Sequence, residues 1–305
     1  MFKKRFYLTL ILLITVSLAY SLLNLSGKQN VRRIDLGEIQ NDQIREASGI
    51  AASRKNTGVL WVHNDSGDGN RIFAINRQGR NLGTYHIDKA YARDWEDIAI
   101  GPGSDQGDYI YIGDIGDNDA GYEIKTIYRI KEPIVEDRQS AVDSILTDVE
   151  ILSFIYPDGR RDAEALMVDP VSGDIYIISK RELGVHIYLA AYPQAVDTIF
   201  TLTHAGILDL TYITAGDISP DGSGIILKSY NQVYYWHRSG DLKIPDILQT
   251  KPRFLDYIPE PQGEAITWDP TGNGYYTVSE ELQGIPARLY YYPFPASQNQ
   301  VKRYE

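Results

Sequence analysis

Five short phrases of similar sequence recur along this chain: Ala47-Ser48-Gly49-Ile50-Ala51, Trp95-Glu96-Asp97-Ile98-Ala99, Ala163-Glu164-Ala165-Leu166-Met167, Ala215-Gly216-Asp217-Ile218-Ser219 and Gly263-Glu264-Ala265-Ile266-Thr267. Two residues before each central aliphatic stand Ser48, Glu96, Glu164, Gly216 and Glu264. The intervals are 96−48=48, 164−96=68, 216−164=52 and 264−216=48 residues, which is the period of a four-stranded propeller blade. The repeat therefore predicts an all-β fold, a β-propeller, in which one position per blade opens onto a common axis. If the innermost strands begin at these phrases, three carboxylates and a hydroxyl converge there.

Each unit has the same internal order. A turn rich in Gly, Pro, Asn and Asp follows the phrase, as in Asp169-Pro170-Val171-Ser172-Gly173-Asp174 and Asp269-Pro270-Thr271-Gly272-Asn273-Gly274, where these residues fix φ or allow it to be positive. A β-branched and aromatic run comes next: Val59 to Val62, Tyr109 to Ile112, Ile175 to Ile178, Ile225 to Leu227 and Tyr275 to Val278. Such runs suit strands covered on both faces by neighbouring blades. Third strands follow at residues 71–75, 126–130, 186–189, 232–236 and 288–292.

The fifth unit lacks an outer strand, whereas Arg32 to Ile39 forms an unassigned strand near the start of the chain. Pairing the two removes a free sheet edge, so the expectation is five four-stranded blades closed by residues 32–39. A six-bladed ring is the alternative, and its extra residues would have to come from the long second unit between Pro133 and Pro157. There, Val135 to Ile145 shows helical polar spacing and reads as an insertion at that blade's outer edge.

The 305 residues carry a net charge of −11, which argues against a nucleic-acid polymer as partner because its phosphates would be repelled. A cation, or an anion bridged by one, suits this charge better. The absence of cysteine excludes disulfides, thiolate metal sites and a thiolate nucleophile. At the start, Lys3, Lys4 and Arg5 precede an apolar run from Phe6 to Leu23. Residues 1–23 are thus expected to be a signal peptide or an N-terminal membrane anchor, placing the rest outside the cytoplasm. The expected organisation is a linker at 24–31, one propeller domain at 32–296 and a tail at 297–305. The membrane is met only through the N-terminal segment, and the propeller is expected to be a monomer.

Ser48, Glu96, Glu164 and Glu264 form the sharpest constellation and are the candidate metal ligands. Carboxylates held together repel unless one takes a proton or a cation sits among them. Oxygen donors without Cys or His suit Ca2+. A second polar set stands where the second strands end: Asn64-Asp65-Ser66, Gly113-Asp114-Ile115, Ser179-Lys180-Arg181-Glu182, Lys228-Ser229-Tyr230-Asn231 and Ser279-Glu280-Glu281. First and second strands run antiparallel, so these ends surround the ring. Lys180, Arg181 and Lys228 are the cations that could meet an anionic ligand, with Asp114, Trp95 and Glu280 as further ligand contacts. The five histidines fit no zinc-binding spacing, and no serine stands in a nucleophile elbow.

With these residues in place, the chain resembles calcium-activated nucleotidases of the apyrase type, five-bladed propellers that are secreted or membrane-anchored. The resemblance rests on Ser48, Glu96, Glu164 and Glu264 matching that family's calcium ligands. It departs at the fourth blade, where the family has Ser and this chain has Gly216. Asp65 matches an active-site Asp, but the neighbouring Arg that holds nucleotide phosphates is replaced by Ser66. The chain is also similar to phytase-like propellers through Gly263-Glu264-Ala265-Ile266, the strand ending Ser279-Glu280-Glu281, and Lys180, and to bacterial propellers of unassigned function. The expected function is an exported propeller binding Ca2+ in its acidic channel and a small-molecule or cell-envelope ligand at the mouth. The alternative is a Ca2+-dependent hydrolase of phosphate esters or anhydrides, with Asp65 and Glu96 as catalytic residues.

Overall fold

The computed structural model describes residues 32–105, 107–240 and 242–294; the residues expected to form a signal peptide or anchor, the linker and the tail lie outside them. Strand β1 (Ile34–Glu38) leads into β2 (Ala47–Ala52), β3 (Val59–Asn64), β4 (Arg71–Asn76) and β5 (Asn81–Ile87), which form blade 1. Blade 2 is built on β6 (Trp95–Pro102), β7 (Asp108–Asp114) and β8 (Lys125–Lys131), followed in the chain by β9 (Val142–Leu146) and β10 (Val149–Ile155). Blade 3 uses β11 (Ala163–Val168), β12 (Ile175–Ser179) and β13 (Val185–Ala190), then β14 (Ile199–Thr201) and β15 (Thr203–Leu208). Blade 4 comprises β16 (Ile213–Ile218), β17 (Gly224–Ser229), β18 (Val233–His237) and β19 (Arg253–Leu255), with a short helix α1 (Ile244–Leu248) before its last strand. Blade 5 is β20 (Gly263–Trp268), β21 (Gly274–Ser279) and β22 (Arg288–Pro293). The fold is a five-bladed β-propeller.

Closure occurs where the sequence places it. β1 pairs antiparallel with β22, Ile34 opposite Tyr291 and Glu38 opposite Arg288, and completes blade 5 as its outer strand. Arg288 secures the seam through Asp35 at 2.9 Å and Glu38 at 2.8 Å, while Arg33 lies over the Tyr290 ring.

The long second unit differs from the helical expectation. Val142–Leu146 is strand β9, and it lies parallel to β5 on the outer edge of blade 1, not on its own blade. β14 likewise leaves blade 3 and runs parallel to β10 on blade 2. An outermost strand presents unpaired backbone groups, and the chain of the next blade satisfies them. Asn56 holds the crossing segment, accepting from the Val135 N–H at 3.0 Å and donating to the Pro133 carbonyl at 2.8 Å.

The five innermost strands β2, β6, β11, β16 and β20 are buried along almost their whole length. Apolar clusters fill the wedges between neighbouring sheets, such as Trp61, Ile98, Ile110 and Ile112 between blades 1 and 2. Every innermost strand is a sheet edge, yet water cannot serve its inward-facing amides, so side chains do so. The Asp97 carboxylate accepts from Leu166 N–H at 2.9 Å and Gly216 N–H at 3.2 Å, joining blade 2 to blades 3 and 4. Asp217 accepts from Trp268 N–H and the Thr267 hydroxyl, joining blade 4 to blade 5. Thr267 Oγ1 in turn accepts from Ala52 N–H in blade 1. Ser48 closes the circuit by donating to the Glu96 carbonyl at 2.8 Å.

Burial pushes the Asp97 carboxyl well above the usual carboxylate range, although the Leu166, Ile98 and Gly216 amides pull it back. Asp97→Ala removes the side-chain acceptor of three buried N–H groups, those of Ile98, Leu166 and Gly216, and should cost roughly 2–4 kcal/mol of stability. Asp97→Asn keeps one acceptor oxygen and should cost less; urea denaturation of both variants checks this order.

Candidate functional site

Each innermost strand carries an irregularity in its first paired stretch. The register shifts fall between Ala47 and Gly49, Trp95 and Asp97, Ala163 and Ala165, Ile213 and Ala215, and Gly263 and Ala265. A bulge of this kind inserts one residue and re-aims its side chain. The residues so placed are Ser48, Glu96, Glu164, Thr214 and Glu264. The fourth position is therefore Thr214, which corrects the alignment on Gly216: with the register known, the intervals around it are 214−164=50 and 264−214=50 residues. Thr214 repeats the Ser48 arrangement, donating to the Glu264 carbonyl at 2.9 Å. Gly216 instead gives its N–H to Asp97.

Around this ring the structure assembles three overlapping carboxylate groups, each with its oxygens within 4.8 Å of one another: Asp65 with Asp94 and Glu96, Glu96 with Asp162 and Glu164, and Asp65 with Glu264 and Glu280. The ring glutamates are spread over all three groups, Glu96 belonging to two of them, instead of forming a single nest. Lys180 stands between them, its ammonium paired with Glu164 and 3.8 Å from Glu264. The Tyr230 hydroxyl donates to Glu264 at 2.6 Å, and its ring faces Lys180. Among the described residues, Asp65, Asp94 and Glu96 have no ion-pair partner, and Glu164 Oε2 is buried without a hydrogen bond. The wall is close as well, since a Cβ on Gly116 would collide with Glu96 Oε1 and Asp94 Oδ2.

The protonation behaviour follows from this crowding. Burial, then the neighbouring Glu164, Asp65 and Asp94, raise Glu96 well above its ordinary value. Burial likewise raises Glu164, with Lys180 opposing it. Asp94 is pushed up to about 6 by burial and by Asp65, Asp162 and Asp114. Glu280 is pushed up to about 8 by burial and by Glu264, Asp65 and Glu46.

Other residues expected at the site have different surroundings. Lys228 is fully buried, its ammonium given to the Gly263 and Ser229 carbonyls and lying over the Tyr257 ring; it does not reach the mouth. Trp95 points into the apolar wedge between blades 1 and 2, packed against His63 and Tyr128, and is a core residue. Its neighbour Glu96 faces the channel because the bulge between Trp95 and Asp97 re-aims it. Asp114 is buried and accepts the Asp94 N–H at 2.9 Å, so it positions the loop that carries Asp94. Arg181 is engaged by Asp162 and Asn118.

Asp94 and Asp162 are site carboxylates that the repeat alone does not reveal. Their signal is an Asp-x-Glu spacing, Asp94-Trp95-Glu96 and Asp162-Ala163-Glu164, which puts both acids on one face at a strand start.

Fold and site together define a five-bladed β-propeller with a carboxylate-lined channel mouth. No family model matches the chain, and no curated protein matches it. Among solved structures it is similar to a chain of a nidogen/laminin complex, with a TM-score of 0.48 and 13% identity, covering 79% of this chain and 74% of that one. It is also similar to a gluconolactonase from Xanthomonas campestris, with a TM-score of 0.44 and 16% identity, covering 88% of this chain and 90% of that one.

The raised carboxylates imply a pH dependence. Asp94 and Glu280 hold protons in the folded state at pH values where the unfolded chain has released them. The stability this gives is complete below the unfolded values near 4 and is lost as pH rises through about 6 and about 8. In chelator, the melting temperature should therefore fall steadily from pH 5 to pH 8.5, as a thermal-melt series would record, and Glu280→Gln should flatten the upper part of that slope.

Proposed function

We propose that this chain is an exported β-propeller that holds Ca2+ at its channel mouth and binds there a small-molecule or cell-envelope ligand. The observation that carries the reading is the crowding of carboxylates around Glu96 with no side-chain cation paired to it among the described residues. This carboxylate belongs to two of the three acidic groups, Asp65 and Asp94 beside it lack ion-pair partners among the described residues, and Glu164 Oε2 is an orphaned buried acceptor. All these donors are hard oxygens, and the flexible six-to-eight oxygen coordination of Ca2+ suits them. Asp65, Asp94 and Glu96, which share one group, would hold the ion, and Glu164, which shares a second group with Glu96, would complete its shell; the Ser48 hydroxyl is bonded to the Glu96 carbonyl. The basic and apolar start of the sequence supports export.

An ion bound only by the folded state stabilises by RT ln(1+[L]/Kd). Ca2+ should therefore raise the melting temperature in a dose-dependent way, and Glu96→Gln and Glu164→Gln should each shift the response to at least about tenfold higher Ca2+. A response unchanged in both variants would remove the channel mouth as the calcium site.

A second reading, hydrolysis of phosphate esters or anhydrides, is favoured by one feature: carboxylates poised to exchange protons near neutral pH lie beside the same oxygens. Bound Ca2+ would polarise a phosphoryl oxygen. Asp65 and Glu96 would hold and deprotonate the attacking water. The cations weigh against it, because Lys180 and Arg181 are spent on carboxylates and Lys228 is sealed in the core. A panel of nucleotides, phytate and simple monoesters decides between the readings: Ca2+-dependent phosphate release that chelator abolishes supports hydrolysis, and no release on any of them leaves the binding function.

A further inference from the structure

The structure joins two histidines that the sequence keeps apart. His186 lies on β13 and His204 on β15, the third and outer strands of blade 3. In this pairing Ile187 faces Gly206 and Tyr188 faces His204, so Ala205 is bulged out. Gly206 takes the bend with a φ of +143°, a conformation open to glycine. The bulge turns His204 toward His186, and the two rings face each other with Nε2 of one 3.0 Å from Nδ1 of the other. Asp158, from the loop between β10 and β11, reaches the same point with Oδ2 3.5 Å from His186 Nδ1. The three ligand atoms all lie within 4.8 Å of one another.

We propose that His186, His204 and Asp158 form a binding site for a divalent transition-metal ion, Zn2+ by preference, on the outer part of blade 3 and separate from the channel carboxylates. Two ligands about 2.0–2.1 Å from one tetrahedral ion stand about 3.3 Å apart. The spacings of 3.0 and 3.5 Å bracket that value, so the ion needs only small side-chain shifts to enter. Two imidazoles and one carboxylate are a donor set suited to zinc.

The surroundings are those of an oriented site. The Tyr188 hydroxyl donates to Asp158 Oδ1 at 2.9 Å, which leaves Oδ2 turned toward His186, and the Tyr188 ring stacks on His186 and abuts His204. Partners of this kind fix a ligand's orientation and raise metal affinity. Arg161 opposes a cation, donating to Asp158 Oδ2 at 2.9 Å. It is also shared with Glu182 at 3.2 Å and with the Tyr188 hydroxyl, so two carboxylates outweigh one guanidinium. Burial and Arg161 lower the His186 pKa, keeping its imidazole in the neutral, ligating form. The proton that bridges the two rings moves to the other nitrogen of its imidazole when the ion binds. His204 and Asp158 are exposed, which leaves the fourth coordination position open to water or to a donor group from outside.

The test is calorimetric titration of the untagged full-length chain with Zn2+ in excess Ca2+, which keeps the channel carboxylates occupied. One equivalent of Zn2+ should bind at micromolar or lower concentration, and Co2+ in its place should give a ligand-field absorption band. His204→Ala and Asp158→Asn, both at exposed positions, should each weaken binding at least about tenfold and abolish the band while retaining the wild-type calcium response. Three results overturn the proposal: no Zn2+ binding by the folded wild-type chain, binding undiminished in both variants, or binding lost in His86→Ala, the surface histidine 3.2 Å from Asp143.

Discussion

The hydrogen-bond circuit around the axis is what the other features depend on. Five sheet edges meet where water has no access, and their inward amides need acceptors that no neighbouring strand provides. Asp97, Asp217, Thr267 and Ser48 meet that need across blade boundaries. Buried carboxylates are costly to desolvate, but each here receives several donors, so the cost is offset by amides that would otherwise be unpaired. The circuit also fixes the site, because Glu96 immediately precedes Asp97 and the ring hydroxyls of Ser48 and Thr214 bind the backbone of Glu96 and Glu264.

Charge is handled differently at the mouth than elsewhere. Elsewhere a buried structural carboxylate is met either by amide and hydroxyl donors, as Asp97 and Asp217 are, or by a cation: Lys125 pairs with Asp117 at 2.9 Å, and Arg238 pairs with Asp169 at 2.9 Å. At the mouth, Lys180 serves Glu164 and Glu264 and leaves Asp65, Asp94 and Glu96 facing one another. Their mutual repulsion in a low-dielectric setting is relieved only by a proton or an added cation. The raised pKa values and the proposed calcium site are thus two responses to the same placement of charge.

The outer edges show a related economy. β9 and β14 leave their own units to cover the preceding blade, so adjacent blades are linked by strand exchange at the rim as well as by side chains at the axis. The departure of β14 also leaves β15 as the strand that pairs with β13, and the bulge in that pairing brings His204 to His186.

The sequence by itself determined the repeat, and with it the first three strands of each unit and the closing role of residues 32–39, because turn residues and β-branched runs are local signals; five blades against six, and the outer strands that cross to the preceding blade, were decided by the sheet pairing. It also made Ser48, Glu96, Glu164 and Glu264 visible as one recurring position. It could not place Thr214, since a bulge is a property of two paired strands and the phrase around Gly216 mimics the repeat two residues out of register. Nor could it separate Lys180, which enters the channel, from Lys228, which is sealed among main-chain carbonyls: both follow a second strand, and only packing between blades decides their surroundings. The partition of the ring into three carboxylate groups and the meeting of His186, His204 and Asp158 were likewise decided by tertiary structure, because they depend on distances between segments far apart in the chain.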